Sequence, residues 1–130
     1  MNYLIDTHIL IWHAEESHKL NPDVLEKIIN PSNIIYVSHA SFWEMTIKSM
    51  TGKLRFSTPV SEFQQLSINN DFLDLGFFFK HYSRLETLPL YHNDPFDRML
   101  IAQAISEDLT LITQDRKFAS YESLVPILWN

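Results

Sequence analysis

Along this chain short apolar runs alternate with stretches whose apolar residues recur every three or four positions, which predicts strands separated by helices. Tyr3-Leu4-Ile5 is a continuous apolar run that stops on Asp6, as expected of a strand buried on both faces. Thr7 to about His13 then reads as helical. Asn21-Pro22-Asp23 opens a clearer helix through Val24, Leu25, Ile28 and Ile29, with Asn at the N-cap and Pro at the first helical position. Ile34-Ile35-Tyr36-Val37 follows the turn residues Pro31-Ser32-Asn33 and reads as a second buried strand. Ser38 is placed to cap a helix from His39 to about Thr51. Its apolar stripe Ala40, Trp43, Ile47 and Met50 is expected to be the buried face, and Gly52 its stop.

The middle of the chain is less regular. Leu54 to Phe56 reads as a short extended piece, Pro59 to about Ile68 as a helix with Phe63 and Leu66 inward, and Phe72 to Leu75 as a minor strand. Phe77 to Leu85 reads as a further helix. Phe77, Phe78 and Phe79 cannot all face one core from a helix, so the triplet is either an aromatic corner or in part a contact with a partner chain. Asp94-Pro95-Phe96-Asp97 starts the best-defined helix, running to about Glu107, with Asp94 at the N-cap and Pro95 at the first helical position. Leu109 to Ile112 is the next buried strand, ending at Thr113-Gln114-Asp115, and Val125 to Trp129 supplies a last one. This order predicts an α/β fold around a central, mainly parallel sheet.

Composition narrows the function. At 130 residues the chain is expected to form one domain, 1–130, without a repeat or linker. Two glycines leave little room for Gly-rich phosphate or dinucleotide loops. With no cysteine there is no disulfide, thiolate zinc site or Cys nucleophile, which suits a reducing cytoplasm. Neither an export signal nor a membrane-spanning run is read in the sequence. The net charge of −6 argues at first against a nucleic-acid partner. Divalent cations held by clustered carboxylates would offset much of that charge locally. Lys48, Lys53, Arg98, Arg116 and Lys117 lie close in sequence to the acids and form either a phosphate-gripping rim or a set of solvated surface charges.

Four acids carry the candidate chemistry. Asp6 and Asp115 each follow a predicted strand at its C-terminal end, the edge of an open α/β sheet where ligands bind. Asp6 can equally be a helix cap. Glu44 lies beside the apolar stripe of its helix, where it either pairs with Lys48 one turn on or points over the same sheet edge as Asp6. Asp94 is explained by capping, whereas Asp97 is one acid more than the cap needs. Four converging carboxylates repel, and a divalent cation resolves the conflict. Oxygen donors without Cys or clustered His favour Mg²⁺ or Mn²⁺ over zinc. Such a site suits polarising a phosphodiester and activating a water.

In these segments the chain resembles the PIN-domain ribonucleases, and within them the VapC-like toxins of prokaryotic type II toxin-antitoxin pairs. The resemblance is carried by Leu4-Ile5-Asp6-Thr7-His8, Val37-Ser38-His39-Ala40-Ser41-Phe42-Trp43-Glu44, Asp94-Pro95-Phe96-Asp97-Arg98-Met99-Leu100-Ile101-Ala102-Gln103-Ala104 and Leu111-Ile112-Thr113-Gln114-Asp115, in the family's order. It implies a PIN-like three-layer α/β/α fold and Mg²⁺- or Mn²⁺-dependent endonucleolytic cleavage of RNA to a 5′-phosphate and a 3′-hydroxyl. It assigns Asp6, Glu44, Asp97 and Asp115 to the metal, with Asp94 assisting through water and Thr113 as a hydroxyl beside the last acid. It also implies a homodimer and an antitoxin covering the site, with Phe77 to Phe79, Trp12 and Trp43 as candidate contacts. Lys48, Arg98, Arg116 and Lys117 are the candidate substrate contacts. Two other readings compete: a non-catalytic RNA-binding module on the same fold, and a phosphotransfer or receiver-like domain. The second fits poorly, because Asp6 stands alone after its strand and Arg116, rather than Lys, follows Asp115.

Overall fold

A computed structural model describes residues 1–130. Five strands, β1 (Asn2–Ile5), β2 (Ile34–Ser38), β3 (Leu73–Leu75), β4 (Thr110–Thr113) and β5 (Ile127–Trp129), form one sheet in the order β3-β2-β1-β4-β5. Every pairing is parallel. The helices between them are α1 (Thr7–Glu15), α2 (Pro22–Ile29), α3 (His39–Met50), α4 (Val60–Asn69), α5 (Phe79–Thr87) and α6 (Pro95–Ser106), with short 3₁₀ turns at Ser17–Lys19 and Arg116–Tyr121. No helix is long and apolar enough to cross a membrane.

Side chains alternate across a strand, so each strand feeds two cores. Tyr3, Ile5, Ile35, Val37 and Ile112 enter one cluster with Ile9 and Leu10 of α1, Val24 and Ile28 of α2, Met45 of α3 and Phe63 of α4. Leu4 and Leu111 enter the other with Met99, Leu100, Ile101 and Ala104 of α6, and with Leu88, Phe118 and Tyr121. Helices therefore cover both faces of the sheet, the three-layer α/β/α arrangement expected.

Several local expectations are corrected. Leu54 to Phe56 forms no strand; it is a loop whose Leu54 and Phe56 pack on the first core, while β3 takes the edge beside β2. The stripe assigned to the buried face of α3 is mostly exposed, with Trp43 at 54%, Ile47 at 42% and Met50 at 77%. The buried residues of α3 are Ala40, Ser41, Glu44 and Met45. Asn21 sits at the N-cap of α2 without a side-chain capping bond, and its N–H goes instead to Asn130 Oδ1 at 2.8 Å. Helix α5 starts at Phe79 rather than Phe77. Gly52 does stop α3: its φ of 72° is left-handed, a conformation that glycine adopts without a Cβ clash.

Candidate active site

The strand order reverses at β1. The chain leaves β1 toward β2 and β3 on one side, and β4 and β5 lie on the other. A crevice outside the C-terminal strand ends at such a switch point is where open α/β sheets bind ligands. Asp6 closes β1 at that point. Its backbone N–H bonds to Ile112 O at 3.0 Å, continuing the ladder to β4. Oδ1 accepts from the Ile9 N–H at 2.9 Å and so caps α1, and Oδ2 accepts from the Thr113 hydroxyl. Asp6 therefore caps α1 and at the same time lies at the C-terminal edge of the sheet. Thr113 also accepts the Asp115 N–H at 3.0 Å, so one hydroxyl ties together the acids that follow β1 and β4.

Glu44 reaches the same edge from α3. It is buried, with Oε1 accepting from the Thr7 hydroxyl at 2.6 Å and Oε2 ion-paired to Lys48. The two alternatives for Glu44 thus hold together: it makes the pair, and it does so inside the acidic crevice. The Ser41 hydroxyl stands 3.0 Å from Thr7 Oγ1, completing a buried polar seam between α1 and α3. Asp94 caps α6 by accepting the Asp97 N–H at 2.9 Å. Asp97, in the first turn, meets His92 Nε2 with Oδ2 at 2.7 Å.

Electrostatics show the acids sharing one field. Burial pushes the Asp6 carboxyl up to about 6; the bonds from Thr113 and Ile9 oppose this, and the charges of Glu44 and Asp115 add to it. Burial likewise raises Asp97 to about 6, against the His92 bond and with the charges of Asp94 and Glu44. Lys48 is held above the usual ammonium range: burial pulls it down, but the Glu44 bond and the charges of Glu44, Asp94 and Asp97 prevail. Its Nζ also lies 6.0 Å from the centre of the Phe96 ring. Lys48 is the cation placed among these acids.

No three carboxylate or imidazole groups stand close enough to form a ready-made metal cage. Oxygen donors that share one field at greater spacing suit a hydrated Mg²⁺-type cation, which takes one or two carboxylates directly and reaches others through water. Asp6, Glu44, Asp97 and Asp115 fit that description, with Asp94 beside them.

The expected cations divide. Lys48 is in the crevice, but Arg98 turns away from it. Its guanidinium donates to Leu88 O at 3.1 Å, Pro89 O at 2.8 Å and the Tyr121 hydroxyl at 3.1 Å, which binds the loop before α6. The Arg116 guanidinium stacks 4.3 Å from the centre of the Trp129 ring, and Lys117 is exposed just beyond Asp115, whose Oδ1 accepts its N–H at 3.0 Å. Thr7 and Ser41 enter the crevice without having been singled out for it, and His92 joins them as the partner of Asp97. For Thr7 and Ser41 the available signal was adjacency, since each lies within three residues of a site acid in a stretch that the resemblance already quoted. Of the aromatic contact candidates, Phe78 at 56%, Phe79 at 83% and Trp43 at 54% are exposed, while Phe77 and Trp12 are half-buried.

Comparison with known proteins is in keeping with this fold. The chain is similar in fold to VapBC2 from Rickettsia felis, solved bound to a DNA fragment from its promoter, with 19% identity, all of both chains covered and a TM-score of 0.73. It is also similar to VapBC-5 from Mycobacterium tuberculosis, of the VapBC family of toxin-antitoxin systems, at 15% identity, 98% and 96% coverage and a TM-score of 0.62. A toxin-antitoxin complex from Klebsiella pneumoniae aligns at 19% identity, 97% and 95% coverage and a TM-score of 0.64. No curated protein matches the chain. The PIN domain model matches residues 3–124. That span runs from the strand before Asp6 to beyond Asp115 and takes in every acid of the crevice, and the chain belongs to the PIN-domain family.

Proposed function

We propose that this chain is a divalent-metal-dependent endoribonuclease, the toxin of a toxin-antitoxin pair, acting in the cytoplasm. The observation that carries the reading is the set of carboxylates at the sheet's switch point, in which Asp6 and Asp97 are both raised to about 6 by burial and by neighbouring acids. PIN domains are in general nucleases that use divalent metals, and the solved relatives include toxin-antitoxin complexes. The ion, Mg²⁺ or Mn²⁺, would be held by Asp6 and Asp97, with Asp115 and Glu44 completing its surroundings. Bound there, it would polarise a phosphodiester and lower the pKa of a water.

The remaining work falls to the protein. Glu44 orients or deprotonates the attacking water, with one oxygen fixed by Thr7. Thr113 holds Asp6 and Asp115 in register. Lys48 neutralises Glu44 when the crevice is empty of substrate and offers its ammonium to a backbone phosphate when RNA arrives. Arg116 and Lys117 lie beyond the same strand end as further phosphate contacts; Arg98, bound to loop carbonyls, does not serve this way. An antitoxin covers the crevice, and exposed Phe78 and Phe79 contribute to a homodimer.

The test is cleavage of a mixed RNA pool by the purified chain with Mg²⁺, Mn²⁺ or EDTA, beside Asp6→Asn and Asp97→Asn. Metal-dependent cutting that falls at least about 100-fold in both variants is expected, with 5′-phosphate ends. A folded chain that neither cuts RNA nor binds Mn²⁺ by calorimetry would leave the non-catalytic RNA-binding module as the better reading.

A further inference from the structure

We propose that His92 is a positioning residue of the acidic site: its Nε2–H holds one oxygen of Asp97 so that the other is presented to the crevice. The inference rests on the metal-nuclease reading and adds a residue outside its acid set. His92 Nε2 lies 2.7 Å from Asp97 Oδ2, and both side chains are largely buried, at 12% and 17% exposure. Asp97 Oδ1 has no hydrogen-bond partner within the chain, so His92 alone fixes the turn of this carboxylate. Either charge state of the imidazole can carry a proton on Nε2, so the contact does not depend on His92 being charged.

The plain alternative is that His92 merely anchors its loop. The loop is already anchored without the ring. The Tyr121 hydroxyl accepts the Tyr91 and His92 N–H groups at 3.1 and 3.2 Å and donates to Pro89 O at 2.6 Å. Arg98 holds Leu88 O and Pro89 O from the other side. The imidazole is left with one polar contact, Asp97, and an edge contact with Phe118 at 6.3 Å between ring centres. The main chain is therefore built to deliver the ring to Asp97. Partners that orient ligating groups in this way usually matter about 10–100-fold to metal affinity or activity.

The experiment compares the full chain with His92→Phe, His92→Gln and Asp97→Asn by Mn²⁺ calorimetry, RNA cleavage kinetics and melting. Phenylalanine keeps the ring against Phe118 and deletes the donor; glutamine restores an N–H at similar reach. The expected result is a 10–100-fold loss of Mn²⁺ affinity in His92→Phe, affinity within roughly threefold of the parent in His92→Gln, and a fall in kcat with KM for RNA unchanged. Comparable melting of all variants would separate this from a folding defect. Unchanged Mn²⁺ affinity in His92→Phe, with binding lost in Asp97→Asn, would overturn the positioning role and leave the nuclease reading standing. Affinity unchanged in both, or no Mn²⁺ binding by the parent, would overturn the two together. A His92→Gln as poor as His92→Phe would also overturn it, since the hydrogen bond would then not be what matters.

Discussion

Asp6 caps α1 while buried among other acids, and that position leaves a mark on stability. Its carboxyl titrates at about 6 in the folded chain against an ordinary 3.8. Between those values the folded state binds more protons than the unfolded one, so stability is fullest below the lower value and is lost as pH rises through about 6. In EDTA, moving from pH 7.5 to 5.5 is expected to add about 1 kcal/mol from this group, or about 3 °C in Tm, and Asp6→Asn should lose that increment in a melting series. Lys48 gives a complementary test. Lys48→Met leaves buried Glu44 without its counter-charge and is expected to cost about 1–2 kcal/mol in urea unfolding, less than a fully buried pair because the ammonium is partly hydrated. Mn²⁺ should then stabilise the variant more than the parent; equal stabilisation would mean that Lys48 and the metal do not share a field. The acids stood out in the sequence because a carboxylate at the end of an apolar run is costly unless something claims it. Thr7 did not, because a hydroxyl next to such a position has many bland uses, and only contacts across the fold distinguish it.

Among the elements, α3 shows where periodicity misleads. The most apolar stripe on a helix normally turns inward, but in α3 the inward face carries Ser41 and Glu44 for the site, with Ala40 and Met45 beside them, and the apolar residues Trp43, Ile47 and Met50 turn out. The buried polar contacts of Ser41 and Glu44 with Thr7 overrode the pattern at this helix. Elsewhere the strand-ending acids, the Asp94 cap and the Gly52 stop were plain in the sequence, since each is a local backbone requirement. Two helices end less favourably. Asp71 and Asp108 follow α4 and α6 at φ of 62° and 55°, where a Cβ is strained. Asp108→Gly is expected to raise stability by about 0.5–1 kcal/mol in urea titration. The loop before α6 should respond the opposite way. Tyr121→Phe removes a hydroxyl that serves Pro89, Tyr91, His92 and Arg98, and should cost about 2 kcal/mol while speeding amide exchange at Tyr91 and His92.

At the scale of the whole molecule, the apolar surface that the two cores leave uncovered gathers in part at the start of α5, where Phe78 and Phe79 are exposed beside Tyr82 at 46%. If copies of the chain meet there, Phe79→Asp should weaken self-association at least about tenfold in sedimentation equilibrium, since a carboxylate would be desolvated in the contact. A parent that stays monomeric at all concentrations would remove that role. The alternation of strands and helices was readable because each buried strand is a continuous apolar run. The placement of β3 against β2, and of Leu54 to Phe56 off the sheet, was not, because pairing partners leave no local trace in such short segments.

The strand order has a further consequence, in time rather than in space. β1 is made before the other four strands and sits at the middle of the sheet, but its neighbour β4, which ends at Thr113 and leads to Asp115, is made only after β2 and β3. A nascent chain that has not yet reached Thr110 holds Asp6 with no hydroxyl across from it and Asp97 with Tyr121 absent from the loop that aligns His92. Since the crevice closes only when β4 and β5 dock, a nuclease working through these acids, as proposed, would stay inert until both strands have been made.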